Sequence, residues 1–222
     1  MYKRQILYID EVNLLDDAIV NAILDAAAQG RYTVRRGPLR LTYRSRLTLI
    51  GSMNPEEGKL RPQIMDRFGL RLVVRGIDDN AQRMEIYRRA RAYLENPHAM
   101  ISQWLGETDQ AAQEIDRARQ LLPKVTLDPA VAELGLELVR QLGLQSHRAE
   151  FTLFEAARSL AAVDGRTAAT VADLSTVAPM SLRLRRSLYM REFIEIQAKE
   201  DREIQAALRA TVKHKSVAVP RI

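Results

Sequence analysis

The chain has 222 residues, which suits one large domain or two small ones. Apolar residues make up 46% of it, which is enough for a hydrophobic core and excludes a wholly disordered chain. The absence of cysteine excludes disulfide bonds and thiolate metal sites, and the three histidines, His98, His147 and His214, are too scattered to form a ligand set. The net charge of +6 is spread along the chain, and no run approaches the about 20 apolar residues of a membrane span. We therefore expect a soluble cytoplasmic protein.

The chain opens with a short apolar run, residues 6–9, that ends at Asp10 and Glu11. An apolar run without alternation is typical of a strand buried on both faces. Carboxylates at the carboxyl end of such a strand lie where open α/β sheets bind ligands. In nucleoside triphosphatases the first carboxylate helps to hold Mg²⁺, and the second can take a proton from an attacking water. A strand that simply ends in an acidic loop is an equally good interpretation of this pattern alone.

A helix and a hairpin are predicted next. Asp16 and Asp17 offer an N-terminal cap, apolar side chains follow at helical spacing, and Gly30 supplies the C-terminal cap. Residues 31–46 alternate around Gly37-Pro38, which predicts a hairpin with its turn at that pair. The hairpin is rich in arginine, with Arg31, Arg35, Arg36, Arg40, Arg44 and Arg46.

A second buried strand is expected over residues 47–51, shortly before Asn54. A neutral amide in that place can orient water and polarise a phosphate, although an Asn-Pro pair more often starts a turn. Pro62 favours a short helix running to about Phe68. Within it, Arg67 could reach the γ-phosphate of a neighbouring subunit as an arginine finger, or it could form an Asp-Arg surface pair.

Residues 70–75 are a third strand candidate, and strand signals stop after Gly76. Ser146 can cap one of the helices predicted beyond that point. Arg148 then lies in the first turn of that helix, where it could report nucleotide state or be an ordinary solvated residue. The predicted helices cover residues 78–95, 98–121, a stretch beginning at 128–129, 147–163, 171–187 and a charged amphipathic segment at 188–212.

Three segments together resemble the ATPase subunit of magnesium chelatase. Residues 6–15 resemble its Walker B region, residues 51–58 its sensor 1 stretch, and residues 60–68 its arginine-finger helix. The resemblance extends over about residues 4–187, and further similar landmarks lie in the helical part, at residues 121–125 and 161–166.

The resemblance implies an α/β part followed by an all-α part. The expected fold is the C-terminal half of an AAA+ P-loop NTPase αβα core followed by a helical lid domain. The partial core would span residues 1–76 with a hairpin insert at 31–46, and the lid residues 77–187. Residues 188–222 would form a charged amphipathic helix and a tail.

The resemblance also implies roles for single residues and for partners. Asp10 would hold Mg²⁺ with ATP, Glu11 would activate water, Asn54 would be sensor 1, Arg67 the finger and Arg148 sensor 2. The family assembles into a homo-oligomeric ring, expected to be a hexamer, with ATP at subunit interfaces. With an integrin-like subunit and a porphyrin-binding subunit it inserts Mg²⁺ into protoporphyrin IX, the first committed step towards chlorophyll and bacteriochlorophyll.

The sequence departs from this family in lacking a phosphate-binding loop. Its Gly58-Lys59 pair is followed by Leu60 and has no preceding glycine at the required spacing. In the family, the strand that leads into the phosphate-binding loop lies between the strands that correspond to residues 47–51 and 70–75. Without it, these two strands are expected to have unpaired edges. We therefore expect a shortened piece or one half of a split protein, inactive alone, with a separate P-loop-bearing half as a partner.

Three other interpretations stay open. One is a remodelling ATPase of the MoxR type, which acts on proteins with metal-binding adhesion domains. Another is a non-catalytic subunit that docks on an intact ATPase ring through helix 188–212. The third, a nucleic-acid module based on the basic segment 31–46, ranks below the others because charge runs are usually solvated faces.

Overall fold

Two parallel strands and one helix form the first part of the fold. The computed structural model describes residues 5–58, 60–185, 196–197 and 199–207. Strand β1 (Gln5–Ile9) pairs in parallel with β4 (Leu47–Gly51), from Gln5 opposite Leu47 to Ile9 opposite Gly51. Both strands therefore end at the same edge of the sheet, and the residues that follow them can meet.

Helix α1 (Asp17–Gln29) begins and ends where the sequence predicts. The Asp16 side chain accepts a hydrogen bond from the backbone nitrogen of Ala18 at 2.7 Å, and Gly30 ends the helix with φ 65°. Four buried side chains, Val12, Val20, Leu24 and Ile64, form a small core with the inner face of the strands.

The prediction that both strands are buried on both faces is wrong for their outer face. Ile6 is 71% exposed, Tyr8 59% and Ile50 48%. The small core packs Ile9 and Leu49 from one face of the sheet only. The apolar composition of the strands therefore leaves an uncovered apolar surface in the described part of the chain.

The predicted hairpin is confirmed, and the predicted third strand is not. Strands β2 (Arg31–Arg36) and β3 (Leu39–Arg44) pair antiparallel on either side of the two-residue turn. Residues 70–79 are neither helix nor strand, and Val74 is 92% exposed. A strand needs a neighbouring strand to pair with, and in the described residues no strand pairs with this segment.

Helices make up the rest of the described chain. The short helix α2 (Pro62–Met65) ends before the predicted Phe68. The others are α3 (Asn80–Glu95), α4 (Pro97–Leu121), α5 (Pro129–Gln141), α6 (Arg148–Val163) and α7 (Val171–Leu182). Two-residue strands, β5 (Thr126–Leu127) and β6 (Ala168–Ala169), pair in parallel between them.

The second hydrophobic core lies around α6. Its residues Ala149, Leu153, Ala157 and Ala161 are fully buried against neighbouring helices. Small side chains on α6 allow this close approach, and so does Gly135 of α5. A Cβ added there would lie 2.5 Å from the Phe154 ring, so only glycine fits without movement.

A buried ion pair fixes the start of α7. The Asp173 carboxylate, 3% exposed, accepts hydrogen bonds from Arg166 and from the backbone and hydroxyl of Thr170 in a capping box. The hydrogen bonds from Arg166 hold the pKa of Asp173 well below its usual range.

Helix α7 is shorter than the predicted 171–187, because Arg183 is extended and its carbonyl accepts a hydrogen bond from Arg71 at 2.7 Å. Of the predicted helix 188–212, residues 196–197 and 199–207 are helical, and its other positions lie outside the described residues, as does Lys59. Within the described ranges, no helix is both long enough and apolar enough to cross a membrane. The proposed division at residues 76 and 187 stays a prediction.

Candidate active site

Asp10 is held at the carboxyl end of β1 by two hydroxyl groups. Tyr8 donates to Asp10 Oδ1 at 3.0 Å, and the Ser52 hydroxyl donates a short hydrogen bond to the same oxygen. Ser52 follows β4 and reaches Asp10 because the two strands run in parallel and in register. The hydrogen bonds from Ser52 and then Tyr8 lower the pKa of Asp10, so this exposed carboxylate is ionised at neutral pH.

Glu11 has an unusual backbone conformation beside this carboxylate. Its φ of 49° and ψ of 51° lie in the left-handed region, which glutamate rarely adopts. The Glu11 backbone nitrogen donates to the Ser52 hydroxyl oxygen at 3.1 Å, so one serine contacts both acidic residues. The negative charge of Glu57 is the largest cause of a raised pKa at Glu11, followed by desolvation and by Asp10.

Asn54 starts a turn, as its alternative interpretation predicts. Its side-chain Oδ1 accepts from the backbone nitrogen of Glu56 at 3.1 Å, and its carbonyl accepts from the side chain of Asn13 at 3.4 Å. Asn13 follows β1, so this contact ties the segments after the two strands together. The structure thus brings Asp10, Glu11 and Asn54 to one edge of the sheet.

The acidic edge suits Mg²⁺ that arrives with a nucleotide. Mg²⁺ is usually held by one or two carboxylates together with phosphate oxygens and water. Both side-chain hydrogen bonds of Asp10 use Oδ1. In residues 5–58, 60–185, 196–197 and 199–207, no cluster of three or more acidic, His or Cys side chains could hold a metal ion by itself. The phosphates would have to complete the shell around an Asp10-bound ion.

Arg148 lies away from this edge, at the junction between the α/β part and the helices. Its guanidinium is 57% exposed and lies 3.5 Å from Asp66 Oδ2. The prediction that Ser146 caps α6 is wrong, because the helix has no side-chain cap. The Ser146 hydroxyl instead donates to the same Asp66 oxygen at 2.7 Å, which ties the segment before α6 to the core segment.

Arg185 binds Asp66 from the other side and is almost fully buried. Its side chain is 1% exposed and donates to Asp66 Oδ1 at 2.8 Å, to the Gly69 carbonyl at 2.9 Å and to the Ser181 carbonyl at 2.6 Å. Arg71, 6% exposed, also lies near Asp66, and burial together with the charge of Arg185 lowers its pKa to about 10. The junction is therefore a buried charged cluster around one carboxylate.

Arg67 contacts neither the acidic edge at Asp10 and Glu11 nor the charged cluster around Asp66. Its guanidinium forms a 2.8 Å ion pair with Asp25 of α1 and is about one-third exposed. The pair joins the helix that follows β1 to the segment after α2. Within this chain Arg67 is thus a surface ion-pair residue, with Asp25 as its partner instead of the adjacent Asp66.

Comparison with known proteins identifies the relatives of this chain. Residues 135–216 match the family model described as AAA lid domain. A magnesium-chelatase subunit ChlI homolog from Methanocaldococcus jannaschii is 43% identical over 82% of this chain and 51% of its own length. A magnesium-chelatase 38 kDa subunit from Chlorobaculum parvum is 40% identical over 92% of this chain and 59% of its own. This chain belongs to the magnesium-chelatase subunit ChlI family of AAA+ proteins.

A solved structure supports the same fold. A protein from Cytophaga hutchinsonii, assigned as an ATPase, matches with a TM-score of 0.60 and 21% identity over 82% of this chain and 58% of its own. The described architecture is the C-terminal half of an AAA+ core followed by the lid. The chain spans between 51% and 59% of the length of the magnesium-chelatase relatives reported above.

Several residues around the candidate site and the junction were missed from the sequence. Ser52 contacts both acidic residues, Glu57 is the largest cause of the raised pKa of Glu11, and Asp66 with Arg185 forms the junction. Ser52 could have been found, because it follows a strand predicted to lie beside β1. Asp66 and Arg185 are 119 residues apart, and no local pattern predicts their contact.

Proposed function

We propose that this chain is part of an ATP-hydrolysing AAA+ motor subunit of the magnesium-chelatase type. The observation that carries the proposal is the placement of Asp10, Glu11 and Asn54 at one edge of the parallel strand pair, with Ser52 bridging the two acidic residues. Hydrolysis of a phosphoanhydride needs a metal ligand, a base and a neutral orienting group, and this edge supplies all three.

Each residue has a role that its environment suits. Asp10, kept ionised by its hydroxyl neighbours, would hold the Mg²⁺ of the nucleotide, which neutralises phosphate charge. Glu11 would take the proton from the attacking water, and its raised pKa makes it a stronger base than an ordinary glutamate. Asn54 would orient that water through its side-chain amide.

The two arginines would act beyond this edge. Arg67 would have to leave Asp25 to reach a phosphate bound by a neighbouring subunit, where it would stabilise the transition state. Arg148 is exposed and only 3.5 Å from the junction carboxylate of Asp66, so a bound phosphate could compete for it and report nucleotide state to the lid.

The proposed partners are those that the resemblance to magnesium chelatase implies. We propose a homo-oligomeric ring, expected to be a hexamer, that works with an integrin-like subunit and a porphyrin-binding subunit to insert Mg²⁺ into protoporphyrin IX. The sequence between Met1 and Ile222 contains no phosphate-binding loop, so ATP hydrolysis by these residues would need a polypeptide that supplies one. Alone, the chain is expected to be inactive.

The test measures ATP binding and hydrolysis by the chain alone and mixed with a polypeptide that carries the P-loop half of a relative. We expect activity only in the mixture, and loss of hydrolysis with retained ATP binding in Glu11→Gln. Glu133→Gln, an exposed change in α5, is the matched control and should stay active. Robust hydrolysis by the chain alone would contradict the proposal, and inactivity of both samples would favour a non-catalytic ring partner.

A second assay separates the chelatase from a MoxR-type remodelling ATPase. The active mixture is combined with the integrin-like and porphyrin-binding subunits, and Mg-protoporphyrin is followed by its fluorescence. ATP-dependent metal insertion would support the chelatase. An active ATPase that inserts no metal would favour the remodelling function.

A further inference from the structure

The register of the β2–β3 hairpin sorts its side chains onto two different faces. Side chains directly opposite each other in an antiparallel pair lie on the same face, and successive residues alternate. One face carries the pairs Arg31–Arg44, Thr33–Thr42 and Arg35–Arg40. The sequence shows that the hairpin is basic, and the register shows that four of its arginines share one face.

This face places like charges against each other. Arginines directly opposite one another in a strand pair destabilise it. Residues 31–46 contain no acidic side chain, and in the part of the chain that the structure describes, Arg35 and Arg40 form no ion pair. An anion bound between such arginines would replace the repulsion by attraction, so the face is suited to a ligand that carries several negative charges.

The opposite face keeps the hairpin in shape. Tyr32 and Tyr43 stack with ring centroids 5.2 Å apart, and Val34 lies opposite Leu41. Cross-strand aromatic and β-branched pairs of this kind stabilise a hairpin. Because these contacts do not involve the basic face, the arginines are carried on a ribbon whose fold does not depend on them.

The chemistry of the basic face favours nucleic acid over an acidic protein surface. All the basic residues of the hairpin are arginine, whose guanidinium binds phosphate and carboxylate oxygens bidentately, so the spacing of the arginine pairs has to decide between the two. The Thr33 and Thr42 hydroxyls lie between the arginine pairs and share a 3.0 Å hydrogen bond, which leaves one hydroxyl hydrogen as a further donor for phosphate. Four residues of strand separate the two arginine pairs by about 13 Å. Phosphates of one DNA strand follow each other about every 3.4 Å along the helix axis, so the two arginine pairs can contact phosphates about four nucleotides apart.

We propose that the Arg31, Arg35, Arg40 and Arg44 face of the hairpin binds the phosphate backbone of duplex DNA. A two-stranded antiparallel ribbon is a shape that the major groove admits. Both strands of the hairpin are exposed along their whole length, so the ribbon can approach a duplex without rearrangement. The face contains none of the residues assigned to ATP, so its binding can be tested without nucleotide.

The test measures binding of the full chain to a short fluorescently labelled DNA duplex by anisotropy over a range of salt concentrations. The double variant Arg35→Gln with Arg40→Gln removes two opposed charges from exposed positions. The control, Arg88→Gln with Arg91→Gln, removes the same charge from α3, where each arginine has a glutamate partner. Urea unfolding of both variants checks that the fold is kept.

If the hairpin contacts phosphates, the double variant should lose about tenfold in affinity per arginine near 0.1 M salt. The slope of log K against log salt should shrink by about 0.9 per arginine, and the control should bind as the unaltered chain does. Three results would each overturn the proposal. The double variant could bind DNA as tightly as the unaltered chain, or the control could lose as much affinity as the double variant. Polyglutamate could also displace the DNA at the same charge concentration.

Discussion

Replacing Arg185 by methionine should destabilise the junction between the two parts of the described fold. Its side chain is 1% exposed and donates to the Asp66 carboxylate and to the carbonyls of Gly69 and Ser181. Methionine has a similar length and fills most of the space, so the loss should come from charge and hydrogen bonds and not from a cavity.

The expected loss is about 3 kcal/mol of unfolding free energy. Removing one partner of a buried ion pair costs roughly 3–5 kcal/mol, because the other charge stays behind without compensation. Here Asp66 keeps the Ser146 hydroxyl and the nearby charges of Arg71 and Arg148, and its side chain is 22% exposed, so these groups and water offset part of the loss. Removing the positive charge also relieves Arg71, whose pKa is lowered in part by Arg185. The remaining contacts of Asp66 and the relief of Arg71 both reduce the expected loss, which places it at the lower end of the roughly 3–5 kcal/mol range, at about 3 kcal/mol.

Urea unfolding followed by circular dichroism measures this loss. Arg183→Met, an exposed change two residues earlier, is the matched control and should cost less than about 0.5 kcal/mol. A loss below about 1 kcal/mol for Arg185→Met, or one equal to that of the control, would refute the view that Asp66 and Arg185 anchor the lid to the core segment.

Three further predictions rest on single contacts. Glu57→Gln should lower the pKa of Glu11, because it removes the largest cause of the raised value, and carboxyl NMR of the chain should show this; an unchanged value would contradict the electrostatic account. Gly135→Ala should cost about 1–2 kcal/mol in urea, since the clash with the α6 phenylalanine ring exceeds the about 1 kcal/mol gain in helix propensity; a more stable variant would show that the ring moves freely. Asp173→Asn should remove the stability that the ion pair with Arg166 supplies. That stability is fully present above the unfolded pKa of about 3.9 and is lost as pH falls towards the lowered folded pKa of Asp173. The melting temperatures of the two proteins should therefore converge at low pH, and a difference that stays constant with pH would contradict this.

The local elements of this fold could be predicted because their signals are local. Asp16 and Gly30 mark the ends of α1, and the Gly37-Pro38 turn marks the hairpin. The segment 70–75 has the composition of a strand but not its structure, because a strand also needs a neighbour that composition does not supply. Ser146 shows the same limit, since its hydroxyl contacts a carboxylate 80 residues away and caps no helix.

The roles assigned to Asp10, Glu11 and Asn54 stay predictions, and the structure adds their geometry. Their positions after apolar runs mark them in the sequence, and the parallel register brings them to one edge. The ion pair of Arg67 with Asp25, 42 residues away, could not be read from the sequence. A side chain that reaches another helix is placed by tertiary packing, which no spacing rule describes.

The left-handed backbone of Glu11 has a consequence for anyone who selects variants of this chain for heat resistance. Glycine and asparagine occupy that conformation more readily than glutamate, so Glu11→Gly and Glu11→Asn should raise the melting temperature above that of Glu11→Ala. Both would also delete the proposed base. A stability screen of this chain therefore has to score ATP hydrolysis alongside melting temperature, so that variants without the proposed base are recognised.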